Sequence, residues 1–469
     1  MAQLASAPLP SAVDLSGSPY RVILRLALPT VAAMLTQSIV NEVDIVFFAH
    51  LPGNEASDAQ AALLPSLIIL WLFGGSLSAI SVGTQAYVAR RFGEGRHRDA
   101  GAVLANAWVF ALLAGIAFSA LGYVLLPLLV RTMIAVESVR EAATRYLQWR
   151  LLGIVSMAVT FAFKAFFDAI GRTHIHLVSA VVMNVINVAL CYVFIFGHFG
   201  APALGIAGAG VGGFVSTWVG LLIMVGYACL PEYRVAFRPF AFSGLSKSIL
   251  GGILRLSVPS AIATIAVMSG FGLFATIVSK LDQRSGLAEA VNGAATTDIV
   301  GVLKLTFTAC LAFGTSTATL VSQSLGARKP EQASSFGWAS VRLGLLIFGV
   351  VGLLEGAIFT RPIVDFVSHS EAVREAALLP MRVMGLCTPL IAVGMILTQA
   401  LFGAGNSRYV MVVELILHFT CLVPLAWLLG ITLGFGLVGI WSAAVVYVIG
   451  LCVAMVWKFS RDDWKNIRL

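Results

Sequence analysis

Charge is scarce in this chain of 469 residues: Asp, Glu, Lys and Arg together make up 11%, against about 25% in soluble domains. That shortage excludes a water-soluble globule. Cysteine is also sparse. Cys191, Cys229, Cys310, Cys387, Cys421 and Cys452 all fall in apolar segments, with no CxxC pair and no Cys/His cluster. Neither a disulfide framework nor a metal site is expected. No nucleophile, metal or phosphate-loop motif points to an enzyme, and no cofactor is expected. Basic residues are missing before Arg21, and the first apolar run is too long for a signal peptide, so a retained first span is expected.

What fills the chain is apolar: 59% hydrophobic residues and a mean hydropathy of +0.94. Runs of twenty or more apolar residues recur along its length, the pattern of an all-α polytopic membrane protein. The 45 glycines suit helices that approach closely in a bilayer. Twelve spans are read, at about 22–50, 61–89, 102–130, 149–170, 175–197, 205–230, 250–279, 297–323, 338–359, 378–403, 409–431 and 434–457. Several exceed the ~20 residues needed to cross a ~30 Å hydrocarbon core, so tilt or protruding ends are expected.

The net charge of +8 belongs to loops rather than to a nucleic-acid surface. Arg90, Arg91, Arg96 and Arg98 separate spans 2 and 3, Arg328 and Lys329 follow span 8, and Lys458, Arg461, Lys465 and Arg468 form the tail. These share one side with both termini, which the positive-inside rule makes cytoplasmic. The expected organisation is a cytoplasmic segment 1–21, an N-lobe 22–230, a cytoplasmic linker 231–249, a C-lobe 250–457 and a cytoplasmic tail 458–469, in the plasma (inner) membrane.

The two halves repeat. "ESVREAA" (137–143) and "EAVREAA" (371–377) differ at one position, and "LRLALPT" (24–30) answers "LRLSVPS" (254–260). "FGEGRHRDA" (92–100) answers "LGARKPEQA" (325–333), and "AIGRT" (169–173) answers "GAGNS" (403–407). With six spans per half, the lobes face the same way, related by a pseudo-twofold axis along the membrane normal. Parallel repeats of this kind are a transporter feature; a duplication kept only for packing is the plainer reading.

The ordered set "LALPT", "VDIVFFAHLPG", "SVGTQAYVARRFGEG", "FFDAIGRT", "NVINVALCYVFIFGHFGAPALGIAGAG" and "TATLVSQSLGA" resembles the multidrug and toxic compound extrusion (MATE) family, nearest to its bacterial DinF-like branch. The resemblance covers about 22–457. It implies two six-helix lobes around a cavity, alternating access, and export of small organic compounds driven by inward H+ or Na+. The partners expected are that substrate and membrane lipids, with no nucleic acid, and the chain is expected to act as a monomer.

The polar residues add their own pattern. Gln37, Asn41 and Asp44 in span 1 follow i, i+4, i+7 spacing and share a helix face; Asn184, Asn187 and Cys191 in span 5 follow i, i+3, i+7. Asp44 lies roughly 9 Å below the outer end of its span, a depth similar to that of Cys191. A carboxylate near the bilayer centre costs about 2.5 kcal/mol or more, so it avoids lipid. The resemblance makes Asp44 the coupling carboxylate, with Asn41, Asn187 and Asn184 around it; for Asn184 a plain helix contact is the competing reading. Glu42 lies near the opposite side of the helix and either pairs with a base or lines another part of the cavity.

The family pattern is also broken in places. Where an Asp commonly follows the span-5 Asn by four positions, this chain has Cys191. The acids of the NorM-like branch in span 7, near Val267 and Met268, and in span 10, before "TQALFGAG", are missing as well. Sodium prefers several hard oxygen ligands, so these losses favour H+ over Na+. Lys164 with Asp168 and Glu414 with His418 are i, i+4 pairs, the latter set a candidate for the cavity, and Lys304 and Glu355 are expected to pair. Two rivals stand beside the exporter: a flippase for polyprenyl-linked saccharides or similar lipid-like substrates, and a channel.

Overall fold

The computed structural model describes residues 17–52, 55–134, 136–285, 290–368 and 370–469; the side chains of Ile39, Asn41, Glu42, Asp44, Ile45 and Ser285 lie outside the described residues. The helices are α1 (Pro19–Ala49), α2 (Glu55–Phe73), α3 (Ile80–Gly93), α4 (His97–Met133), α5 (Glu137–Leu152), α6 (Ile154–Ala169), α7 (Thr173–Phe196), α8 (Ile206–Cys229) and α9 (Pro231–Phe237). They continue as α10 (Lys247–Ser285), α11 (Val291–Gly326), α12 (Pro330–Leu353), α13 (Thr360–Val367), α14 (Glu371–Ala404), α15 (Ser407–Ile416), α16 (Val423–Trp427) and α17 (Gly436–Ser460). Among the described residues ten helices are long and apolar enough to cross a membrane. The pair α5–α6, bent by 43° at Gly153, supplies an eleventh span, and the 31-residue α1 completes the twelve-helix membrane architecture.

The chain folds into two compact units, one built from Leu28–Ser257 and the other from residues 17–27 with Val258–Leu469. The two helices shared between units, α1 and α10, carry internal prolines, Pro29 and Pro259, each just past the point where unit membership changes. Proline removes a backbone donor and crowds the preceding turn, so these are the natural places for a long helix to change direction.

Matching sequence gives matching local structure in each unit. The related heptapeptides place Glu137 and Glu371 in the first turns of α5 and α14, where a carboxylate complements the helix dipole. Gly171 and Gly405 stand 234 residues apart, and both adopt left-handed φ, +79° and +93°. Glycine takes that conformation without Cβ strain, ending one helix so that α7 and α15 begin two residues later.

Segment 231–249, read from its Pro, Arg and Ser as a linker, is docked onto the N-terminal unit. Phe237 and Tyr233 pack edge-on against Phe166 and Phe167, with centroids 5.1 and 5.6 Å apart. Trp108 Nε1 donates to Pro239 O at 3.2 Å, and Asn106 binds Gly244 O and Ser246 N at 2.9 Å each. The C-terminal unit carries three π-helical turns, Leu354–Ile358, Leu417–Leu422 and Leu428–Thr432. Such turns insert a residue into the helical ladder and concentrate at functional sites.

Candidate functional site

The span-5 stripe faces inward. Asn184, Asn187 and Cys191 are all buried on α7. Asn187 Nδ2 donates to Ser216 Oγ on α8 at 3.2 Å, and Ser216 in turn donates to Gly213 O at 3.1 Å. Cys191 is sealed between the two helices: its Sγ lies 3.9 Å from Ala209 O. It presses so close to Gly212 that a Cβ there would stand 2.8 Å from the sulfur. Asn184 is 3% exposed, and neither of its side-chain polar atoms has a partner among the described residues. An amide buried without hydrogen bonds costs about 1–3 kcal/mol, so this position is unfavourable unless something polar meets it.

Span 1 runs beside this stripe. Phe47 on α1 packs against Tyr192 and Phe196 of α7, with ring centroids 6.2 and 6.0 Å apart, and Phe48 meets Tyr146 of α5 at 6.4 Å. Gln37 is half-buried. Asn41, Glu42 and Asp44 are placed in α1 by their backbone, and their side chains lie outside the described residues. Phe47 follows Asp44 by three residues, which are neighbours on a helix surface, and Tyr192 follows Cys191 directly.

A second polar cluster occupies the C-terminal unit. Glu414 on α15 accepts a hydrogen bond at Oε2 from Tyr447 Oη on α17 at 3.0 Å. His418, in the following π turn, sets Nδ1 3.4 Å from the same oxygen and 2.9 Å from Glu414 O. A carbonyl only accepts, so Nδ1 carries the hydrogen. His418 is fully buried and Glu414 is 7% exposed. The i, i+4 spacing predicted that these two meet; Tyr447 gave no signal, because one tyrosine in an apolar run reads as packing. Ser216 was missed for the same reason.

Lys164, Asp168 and Glu355 are held by nearby side chains. Lys164 Nζ and Asp168 Oδ2 form the expected ion pair at 2.8 Å. Glu355, in the π turn after α12, accepts from Thr306 Oγ1 on α11 at 2.7 Å. Thr306 is buried whereas Lys304, two residues earlier and so on the other side of α11, is exposed. Among the described residues no group of three or more His, Cys, Asp or Glu could hold a metal ion.

Comparison with known proteins bears on the family and the fold. The chain is 24% identical over 452 residues to the probable multidrug resistance protein NorM of Thermotoga maritima, covering 95% of this chain and 93% of that one. It is 24% identical over 467 residues to the multidrug resistance protein PmpM of Pseudomonas aeruginosa, with 95% and 92% covered. Among solved structures it superposes with a TM-score of 0.85 on an outward-facing multidrug resistance MATE family transporter of the MOP superfamily, at 19% identity and covering 97% of this chain and 99% of that one. The MatE family profile matches residues 29–193 and 259–428, well over half of the sequence. The chain belongs to the MatE family, the multidrug and toxic compound extrusion transporters, and is a transporter rather than an enzyme.

Proposed function

We propose that the chain is a secondary active exporter of organic, cationic or amphipathic compounds, working by alternating access and coupled to inward H+ through Asp44. It acts as a monomer in the plasma (inner) membrane, with both termini cytoplasmic. Asn41, Asn187 and Asn184 surround the carboxylate, and Gln37, Glu42 and Cys191 lie nearby. The observation that carries this reading is the pairing of Phe47 with Tyr192 and Phe196, which supports a shared level for the span-1 and span-5 stripes.

The C-terminal repeat supports the same arrangement. Phe271, which corresponds to Asn41, packs on His418, which corresponds to Asn184, with centroids 6.0 Å apart. By analogy, the unpartnered amide of Asn184 meets span 1. One buried acid can be neutral or charged according to which side wets it, and each proton moved inward draws on ~2.3 kcal/mol per 100 mV.

Proteoliposomes loaded with a fluorescent cationic dye test the coupling. Dye efflux is expected under an imposed ΔpH, and not under a Na+ gradient at equal pH. Efflux driven by Na+ alone would overturn proton coupling.

A further inference from the structure

We propose that Glu414, His418 and Tyr447 form a second proton-binding site, contained wholly within the C-terminal unit. Three titratable side chains converge there from α15, the π turn Leu417–Leu422 and α17. The titratable groups facing His418 are Glu414, at 3.4 Å, and Tyr447, whose ring centroid is 4.5 Å away. From α10, Gly270 and Phe271 approach the ring among the described residues, and neither titrates. Gly270 is fitted to the ring: a Cβ there would lie 2.4 Å from His418 Cδ2.

The hydrogen bonds fix what this cluster can bind. Nδ1 donates to Glu414 O, and Tyr447 Oη donates to the carboxylate. That leaves Nε2 of a neutral imidazole as a lone pair, buried and without a partner among the described residues. In this state the cluster carries one net negative charge, which a buried site in a membrane bears at considerable cost. One proton from water, taken by Nε2 or by the carboxylate, brings the net charge to zero; no other bond forms or breaks. The ligand is a single H+.

This site is separate from Asp44 and does not rest on the proposed transport reaction, because proton binding can be measured on the purified chain. The experiment is imidazole ¹⁵N NMR of full-length, histidine-labelled protein in lipid nanodiscs, with the His418 signals identified by their loss in His418→Gln. In the wild type the His418 nitrogen shifts should change with pH as the cluster takes up one proton, whether Nε2 or the neighbouring carboxylate binds it. Glu414→Gln removes the negative partner and should weaken proton binding about tenfold or more. Asp44→Asn should leave the midpoint unchanged.

Wild-type His418 shifts that do not change with pH, or a midpoint indifferent to Glu414→Gln, overturn the site. A midpoint displaced by Asp44→Asn overturns its separateness. Should Glu414→Gln fail to fold, Tyr447→Phe serves in its place. Deleting the hydroxyl that stabilises the carboxylate should tighten proton binding severalfold, and an unchanged midpoint there counts equally against the site.

Discussion

The N- and C-terminal units start their helices at matching residues but place their polar groups differently. In the first, the sequence of span 1 carries Asn41 and Asp44, and α7 buries Asn184 and Asn187. In the second, span 7 carries Phe271 and Phe274 at the corresponding positions, 230 residues later, and Phe274 packs on Trp441 at 5.3 Å. The acid has moved to span 11, as Glu414, beside His418, which stands 234 residues after Asn184. Both units thus keep a polar residue at the corresponding position of the fifth span of their repeat. Duplication preserves the helix boundaries, where glycine and acidic first-turn residues are needed, while each interior is free to exchange a carboxylate for an aromatic ring.

Exchanging corresponding residues between the units tests how far this difference goes. The largest effect is expected from Gly270→Val, which installs in the C-terminal unit the side chain that the first unit carries at Val40. With 2.4 Å available to His418 Cδ2, the ring must leave its pocket. Overpacking of this severity costs about 3 kcal/mol, visible as a lowered apparent Tm of the detergent-purified protein. An unchanged Tm would mean that α10 is not pressed against His418.

Next comes Lys164→Thr, which introduces the residue found at the corresponding Thr398 and deprives Asp168 of its lysine. Breaking a buried pair on one side costs about 3 kcal/mol, whereas replacing both members with apolar partners of similar size is often neutral. Lys164→Met with Asp168→Leu, which removes both charges at similar volume, should therefore recover most of the lost thermal stability. Equal losses in the single and double variants would show that the pair contributes through something other than charge compensation. The smallest effect is expected from Asn187→Ala, which removes a 3.2 Å bond to Ser216 worth about 1 kcal/mol. In combination with Ser216→Ala the two losses should be less than additive, since they share that bond.

Much of this architecture was legible in the sequence because hydrophobic length and repetition are robust signals. Each of the twelve apolar runs overlaps a helix, and the paired motifs "AIGRT" and "GAGNS" land on equivalent left-handed glycines. The docking of 231–249 was not legible: its Pro, Arg and Ser break the apolar pattern, while the contacts that tie it down come from Tyr233, Phe237 and main-chain carbonyls. The π turns were equally hidden, since one inserted residue leaves hydrophobic periodicity almost unchanged. At the sites, i, i+4 spacing was enough for Lys164–Asp168 and Glu414–His418, which lie along one helix. Ser216 and Tyr447 reach across from a different helix, and no spacing rule connects them to their partners.

Of the carboxylates in the two units, the proposed driving role belongs to Asp44 in span 1. Asp44→Asn and Glu42→Gln, reconstituted separately and assayed for substrate efflux under an imposed ΔpH, test that assignment most directly. Asp44→Asn should lose at least about 100-fold in efflux, within the range for removing a buried general acid–base group, while substrate binding stays measurable. Glu42→Gln, on the other side of the helix, should remain within a few-fold of the wild type. Wild-type efflux in Asp44→Asn would contradict the account, and complete loss in Glu42→Gln alone would move the proton site two residues back.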